Sequence, residues 1–134
     1  MNDDLDTGTL RFADLCFEAA RHGGTEQLAG LLDAGASSNL ATPGGDTLLI
    51  LAAYHAHPDT VRLLLARGAD TTRVNDRGQT ALCAAVFRQS EETVQVLLDA
   101  GADPALGNPT AYEVATFFRL PAMATLLRGE PPMP

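Results

Sequence analysis

Lysine is absent from the 134 residues: all nine basic side chains are arginine. That excludes a phosphate loop of the Walker type, whose lysine reaches the β/γ-phosphates, and any Schiff-base enzyme, whose nucleophile is the lysine amine. Positive charge is scarce altogether, with 9 basic against 17 acidic residues and a net charge of −8. Nucleic acid and anionic membrane are both held by Lys and Arg neutralising phosphate, so neither is expected as a partner, and a basic protein surface is the kind steered in at long range. Long apolar runs are missing too. The longest, Leu48 to Tyr54, has about seven residues against the roughly 20 that a bilayer requires. The opening Met1-Asn2-Asp3-Asp4-Leu5-Asp6 is acidic where a secretory signal needs positive charge and an apolar stretch, so no signal peptide is expected. Two cysteines, Cys16 and Cys83, stand far apart without a CxxC, which excludes a disulfide framework and predicts two small buried hydrophobes in a reducing cytoplasm. What is present, 46% hydrophobic and 19% charged, is the balance of a folded globular chain rather than a disordered one.

Self-comparison organises that chain. At a fixed offset of 33 residues, the segment from Gly45-Asp46-Thr47-Leu48-Leu49 to Gly68-Ala69-Asp70 lies over the segment from Gly78-Gln79-Thr80-Ala81-Leu82 to Gly101-Ala102-Asp103. The matches include Thr47/Thr80, Leu49/Leu82, Ala52/Ala85, Thr60/Thr93, Val61/Val94, Leu64/Leu97 and Leu65/Leu98. One step back, Ala19-Ala20 and Leu31-Leu32-Asp33-Ala34-Gly35-Ala36 form a divergent first copy. One step forward the offset shrinks to 30, with Thr110-Ala111-Tyr112 over Thr80-Ala81-Leu82 and Leu127 over Leu97, so the last copy is a truncated cap.

Each copy reads as helix, turn, helix, long loop. Thr80 is placed to cap a helix through Arg88, and Ser90 before Glu91-Glu92 supplies a side-chain cap with two carboxylates at the positive end of the helix dipole. Pro58 and Pro121 suit the first turn of a helix, where a missing N–H costs nothing. Gly68 and Gly101 suit a helix stop, because glycine alone enters the left-handed region without steric cost. Val61, Leu64 and Leu65, and likewise Val94, Leu97 and Leu98, make one narrow apolar stripe per helix, while Ala52 and Ala85 let helices approach. Such stripes are buried only when copies stack.

These residues resemble the ankyrin-repeat family. Its pattern G-x-T-P-L-H-x-A-A…V-x-x-L-L-x-x-G-A-D appears as Gly78, Thr80, Leu82, Ala85, Val94, Leu97, Leu98, Gly101, Ala102 and Asp103. The resemblance implies an all-α solenoid of about four helix-turn-helix repeats with β-turn fingers, spanning 9–41, 42–74, 75–107 and 108–128, between an acidic tail at 1–8 and a Pro-rich, mobile tail at 129–134. The family's Pro-Leu-His reads Leu48-Leu49-Ile50 and Ala81-Leu82-Cys83, so the loop-bonding histidine is missing from both central repeats and looser loops are expected. The lysine-free, alanine-rich composition resembles small free-standing ankyrin proteins of GC-rich bacteria.

No catalytic constellation emerges. His55 and His57 bracket a turn with Asp59 after it, but HxH is a weak metal signal, and His57 falls where the family commonly carries histidine. Cys16 and His22 face different sides of one helix. Gly44-Gly45 lacks the strand, spacing and lysine of a phosphate loop and reads as a turn tip. The expectation is therefore a non-catalytic protein-binding module with no metal and no cofactor; the alternatives are an accessory or regulatory subunit of a partner enzyme, or a metal-dependent activity at the His55/His57 turn. In the family the two residues after the Ala-Ala pair face the concave groove. Here they are Arg21-His22, Tyr54-His55, Phe87-Arg88 and, at offset 30, Phe117-Phe118. Four of the chain's seven aromatics (five Phe, two Tyr) fall on this ladder. Aromatics and Arg anchor interfaces, and the loop residues Asp46, Asp76, Arg77 and Gln79 form the second wall of the same groove. Arg21, Arg77 and Arg88 are placed to fork onto a partner carboxylate. Phe117 and Phe118 belong either to the groove or to the core of the cap; with Leu120 they leave a monomer or a weak homodimer as the expected state.

Overall fold

The structure, a computed structural model, describes residues 3–129. Among them are eight helices: α1 (Asp3–His22), α2 (Thr25–Asp33), α3 (Leu48–Tyr54), α4 (Pro58–Ala66), α5 (Ala81–Phe87), α6 (Glu91–Asp99), α7 (Ala111–Phe117) and α8 (Pro121–Leu127). α1 starts at Asp3, within the stretch read as an acidic tail. Of the Pro-rich tail, everything after Gly129, and with it the expected mobility, lies outside the described residues.

The helices stack in two layers. α1, α3, α5 and α7 pack in sequence as an inner layer, α2, α4, α6 and α8 as an outer one, and each inner helix packs on the outer helix that follows it. The narrow stripes explain the arrangement. Val61 and Leu64 of α4, Val94 and Leu97 of α6, and Met123 and Leu127 of α8 are buried, with Leu65 and Leu98 only partly so. Each fully buried side chain of this size contributes about 1.5–3 kcal/mol, which no helix here obtains alone. Ala19, Ala52, Ala85 and Ala115 are all buried, and side chains this small let packed helices approach closely.

The caps are local chemistry. The hydroxyls of Thr47, Thr80 and Thr110 accept from Ile50, Cys83 and Glu113 N–H, and the Glu113 carboxylate returns a bond to Thr110 N–H, closing a capping box. Ser90 caps α6, and Pro58 and Pro121 open α4 and α8.

The helix ends share one closure, in which a left-handed residue lets the chain bond back onto the last turn. Ala36, Ala69 and Ala102 N–H donate to the carbonyls of Leu31, Leu64 and Leu97, with Gly35, Gly68 and Gly101 as the left-handed residue. The Gly-Ala pair is thus an outer-helix stop. At the inner ends Gly24, His57, Ser90 and Leu120 N–H donate to Ala19, Ala52, Ala85 and Ala115 in the same way, around Gly23, Ala56, Gln89 and Arg119. The cap repeat is shortened twice: three residues are missing before Thr110, and α8 has 7 residues where α4 and α6 have 9, so its stop glycine is Gly129.

The loop joining repeats two and three is not left slack by the missing histidine. Asn75, 6% exposed, donates from its amide to Asp46 Oδ1 at 2.8 Å and Gln79 Oε1 at 3.0 Å, and its Oδ1 accepts from the N–H groups of Arg77 and Gln79 at 2.9 Å. Asp76 N–H reaches across to Gly44 carbonyl at 3.0 Å. At the next junction the Cys83 thiol lies 3.5 Å from Pro109 carbonyl and 3.8 Å from Leu106 carbonyl, and Asn108 N–H donates to Gly78 carbonyl. Cys83 is therefore a weak donor to the next loop as well as a buried hydrophobe. Burial pushes the Cys16 thiol pKa up, which keeps it protonated and inert.

Candidate partner-binding surface

The turns closing the inner helices bring their side chains together in a row that crosses the repeats. The rings of Tyr54 and Phe87 lie nearly parallel with centroids 6.3 Å apart. Phe87 meets Phe118 edge-on at 5.4 Å, and Phe118 meets Phe117 edge-on at 4.9 Å. In the other direction Tyr54 contacts the His55 ring at 5.2 Å. The repeat explains the first pair, since Tyr54 and Phe87 are equivalent positions of neighbouring helices; at the last copy Phe87 is met by Phe118, one residue past its equivalent Phe117, and Phe118 carries the strip on to Phe117. Such pairs add about 0.5–1.5 kcal/mol each beyond the area they bury.

Phe87, Phe118 and Phe117 are 40%, 48% and 79% exposed, so the two cap phenylalanines are surface and not cap core. The core of the cap is Val114, Ala115, Met123 and Leu127 instead. Beside Phe117 and Phe118, a cleft of about 660 Å³ opens on α7, lined also by Pro109, Tyr112 and Thr116. Tyr112 is 41% exposed, with its hydroxyl 3.4 Å from Leu127 carbonyl; its position on α7 is the one signal in the sequence that marks it.

The cations of the row differ in how far they are committed. Arg21 and His22 both bond Glu18, at 2.9 and 3.0 Å, so Arg21 already holds a carboxylate. Arg88 has its guanidinium over the Tyr54 ring, 5.5 Å from the centroid, a cation–π contact. His55 is exposed; desolvation first, then the neighbouring His57, Arg88, Arg21 and His22, lower its pKa. His57 is structural: its Nε2 lies 2.8 Å from Arg21 carbonyl, and its ring packs so closely on Gly23 that a Cβ there would come within 2.7 Å of Nδ1. Among the described residues no three His, Cys, Asp or Glu side chains are grouped as a metal site would need.

The loop residues stand apart from this row. Asp46 and Gln79 are half-buried and hold Asn75, while Asp76 and Arg77 are exposed at the tip. α5 runs from its cap Thr80, beside the loop, to Arg88, in the row. Its seven residues put about 10 Å between the two sets. The twelve residues singled out from sequence thus form two rows at opposite ends of the inner helices.

A family model of three ankyrin repeats matches residues 16–108. The chain belongs to the ankyrin-repeat family. No curated protein compared with the chain matches it significantly. The matched stretch ends at 108, where the period breaks, and an ankyrin repeat is the unit seen here: inner helix, left-handed turn, outer helix, glycine stop and finger loop. Ankyrin repeats generally mediate protein–protein interaction, and the family is typically non-catalytic. Among the described residues no helix is long and apolar enough to cross a membrane.

Proposed function

We propose that this ankyrin-repeat protein binds a partner protein non-covalently through the groove face of its inner helices, with the turn row as the anchor and the finger tips Asp76 and Arg77 as the second, more variable contact. The observation that carries the reading is the unbroken strip Tyr54, Phe87, Phe118, Phe117. Folding does not require the large exposed rings of Phe87, Phe118 and Phe117, and with the half-buried Tyr54 they make a row crossing three repeats that has the composition of an interface core. A regulatory subunit of an enzyme is the same act with an enzyme as the partner. Metal chemistry at the His55/His57 turn has less support, since His57 is engaged by the preceding repeat.

Affinity purification from the source cell, read by mass spectrometry, supplies the partner. Tyr54→Ala and Phe87→Ala should then each weaken that complex by more than about 1 kcal/mol while circular dichroism and melting show the repeat array intact. Unchanged affinity in both variants would refute the groove.

A further inference from the structure

The chain is strongly acidic, yet its charge is sorted. The outer helices carry Glu26, Asp33, Asp59, Glu91, Glu92 and Asp99, and Arg62 is held there between Asp59 and Glu92 at 2.7 Å each. The four inner turns, 21–24, 54–57, 87–90 and 117–120, contain no carboxylate at all. They hold Arg21, Arg88 and Arg119 and every histidine of the protein, His22, His55 and His57. The acids that border the row are Glu18, already shared by Arg21 and His22, Glu91 beside Gln89 and Arg119, and Glu113 beside Phe117 and Phe118, and none of them is paired with Arg88. A local positive strip has therefore been kept on a negative protein, and it lowers the pKa of His55 through its own cations after desolvation.

Cation and rings meet within the third repeat, where Arg88 directly follows Phe87, with Tyr54 and His55 on one side and Phe118 and Phe117 on the other. Arg88 lies over Tyr54, and the Tyr54 ring is 6.3 Å from that of Phe87, close to two residues of extended chain at about 3.3 Å each. An apolar group resting on the phenylalanines and an anion resting on Arg88 would thus sit about two residues apart in one segment.

We infer that the segment seated on this row is an extended acidic peptide, its apolar side chain against Phe87 and Phe118 and a carboxylate about two residues away on Arg88. The inference rests on the groove reading above and narrows it to a chemical class. Repulsion from the outer carboxylates does not forbid it: Glu91 borders Gln89 and Arg119 rather than pairing with Arg88, Arg62 already holds Asp59 and Glu92, and exposed charges beyond about 10 Å are screened at ordinary salt.

The test is selection of random linear twelve-residue peptides displayed on phage against the full chain, followed by affinity measurement of the enriched peptides on variants. Enriched sequences should carry net negative charge with an apolar residue two positions from an acid. Arg88→Gln should weaken them by about tenfold or more, and Phe87→Ala by about fivefold or more. Arg67→Gln, at the end of an outer helix where Arg67 pairs with Asp33, should leave them within about twofold. Neutral or basic peptides that still need Phe87 would overturn the acidic class and leave the groove standing. Peptides indifferent to both Tyr54→Ala and Phe87→Ala, or no enrichment at all, would overturn the groove with it.

Discussion

The inner and outer helix ends close in the same way and are built from different residues. All the outer stops use glycine, Gly35, Gly68, Gly101 and Gly129, while only the first inner turn does, at Gly23. The other inner turns place Ala56, Gln89 and Arg119 at φ of 58°, 57° and 55°, a region that costs a side-chain-bearing residue about 1–2 kcal/mol. The neighbouring residues differ in the same sense. Outer turns carry small residues, with acids at Asp33 and Asp99 and arginine at Arg67 and Arg128, whereas inner turns carry the exposed aromatics and all three histidines beside their arginines. One set of turns is shaped by conformation alone, and the other retains side chains where a glycine would fold more easily. Retained strain beside a surface strip of interface-type residues is what a binding row requires, since there the side chains answer to something other than the fold.

A leucine of the outer layer separates the two faces most strongly. Leu97 is fully buried and its carbonyl anchors the Gly101 stop, so Leu97→Ala should lose about 2–5 kcal/mol of unfolding free energy by leaving a cavity between α6 and its neighbours. Phe87→Ala, at the inner turn, removes a larger but 40% exposed side chain and should cost less than about 1.5 kcal/mol in the same urea titration. Equal losses would mean that the turn row is core after all, and the division between the two faces would go.

Gly101→Ala probes conformation without packing. A Cβ there would meet nothing within 4 Å, and the residue sits at φ of 88°. Only backbone strain acts, and the expected loss is about 1–2 kcal/mol, read as a lowered denaturation midpoint at unchanged slope. A neutral result would show that outer glycines are dispensable, and the contrast with the inner turns would then have no conformational basis.

Much of this fold is legible in sequence because its determinants are local. Thr80, Ser90, Pro58 and Gly101 announce caps and stops within a few residues of where they act, and the 33-residue offset carries those signals from copy to copy. What the sequence conceals is what crosses between repeats or depends on element length. Asn75 replaces the missing histidine by bonding Asp46 in the preceding repeat, a partnership that no spacing rule marks. The finger residues, read as the second wall of the groove, stand about 10 Å from the turn row, a spacing set by the length of the inner helix between its two ends. Arg21 illustrates a local signal passed over: Glu18 lies three residues before it on the same helix, the spacing at which such pairs form.

A substitution at Gln89 changes stability least and tests the contrast most sharply, because its sign is opposite to that of most substitutions. Gln89 is exposed, left-handed at φ of 57°, and makes no side-chain hydrogen bond. Replacing it by glycine removes about 1–2 kcal/mol of native-state strain. It also loosens the unfolded chain, which returns about 0.4–1 kcal/mol of that gain. Gln89→Gly should therefore stabilise the protein by about 0.5–1 kcal/mol, seen as a raised midpoint in urea at unchanged slope. Because Gln89 directly follows Phe87-Arg88, the same variant reports on function. A looser turn should hold those two side chains less firmly and weaken the partner complex even as the fold gains stability. A variant less stable than the parent would mean that the left-handed turn is not strained, and the retention of its side chains for binding would lose its energetic footing.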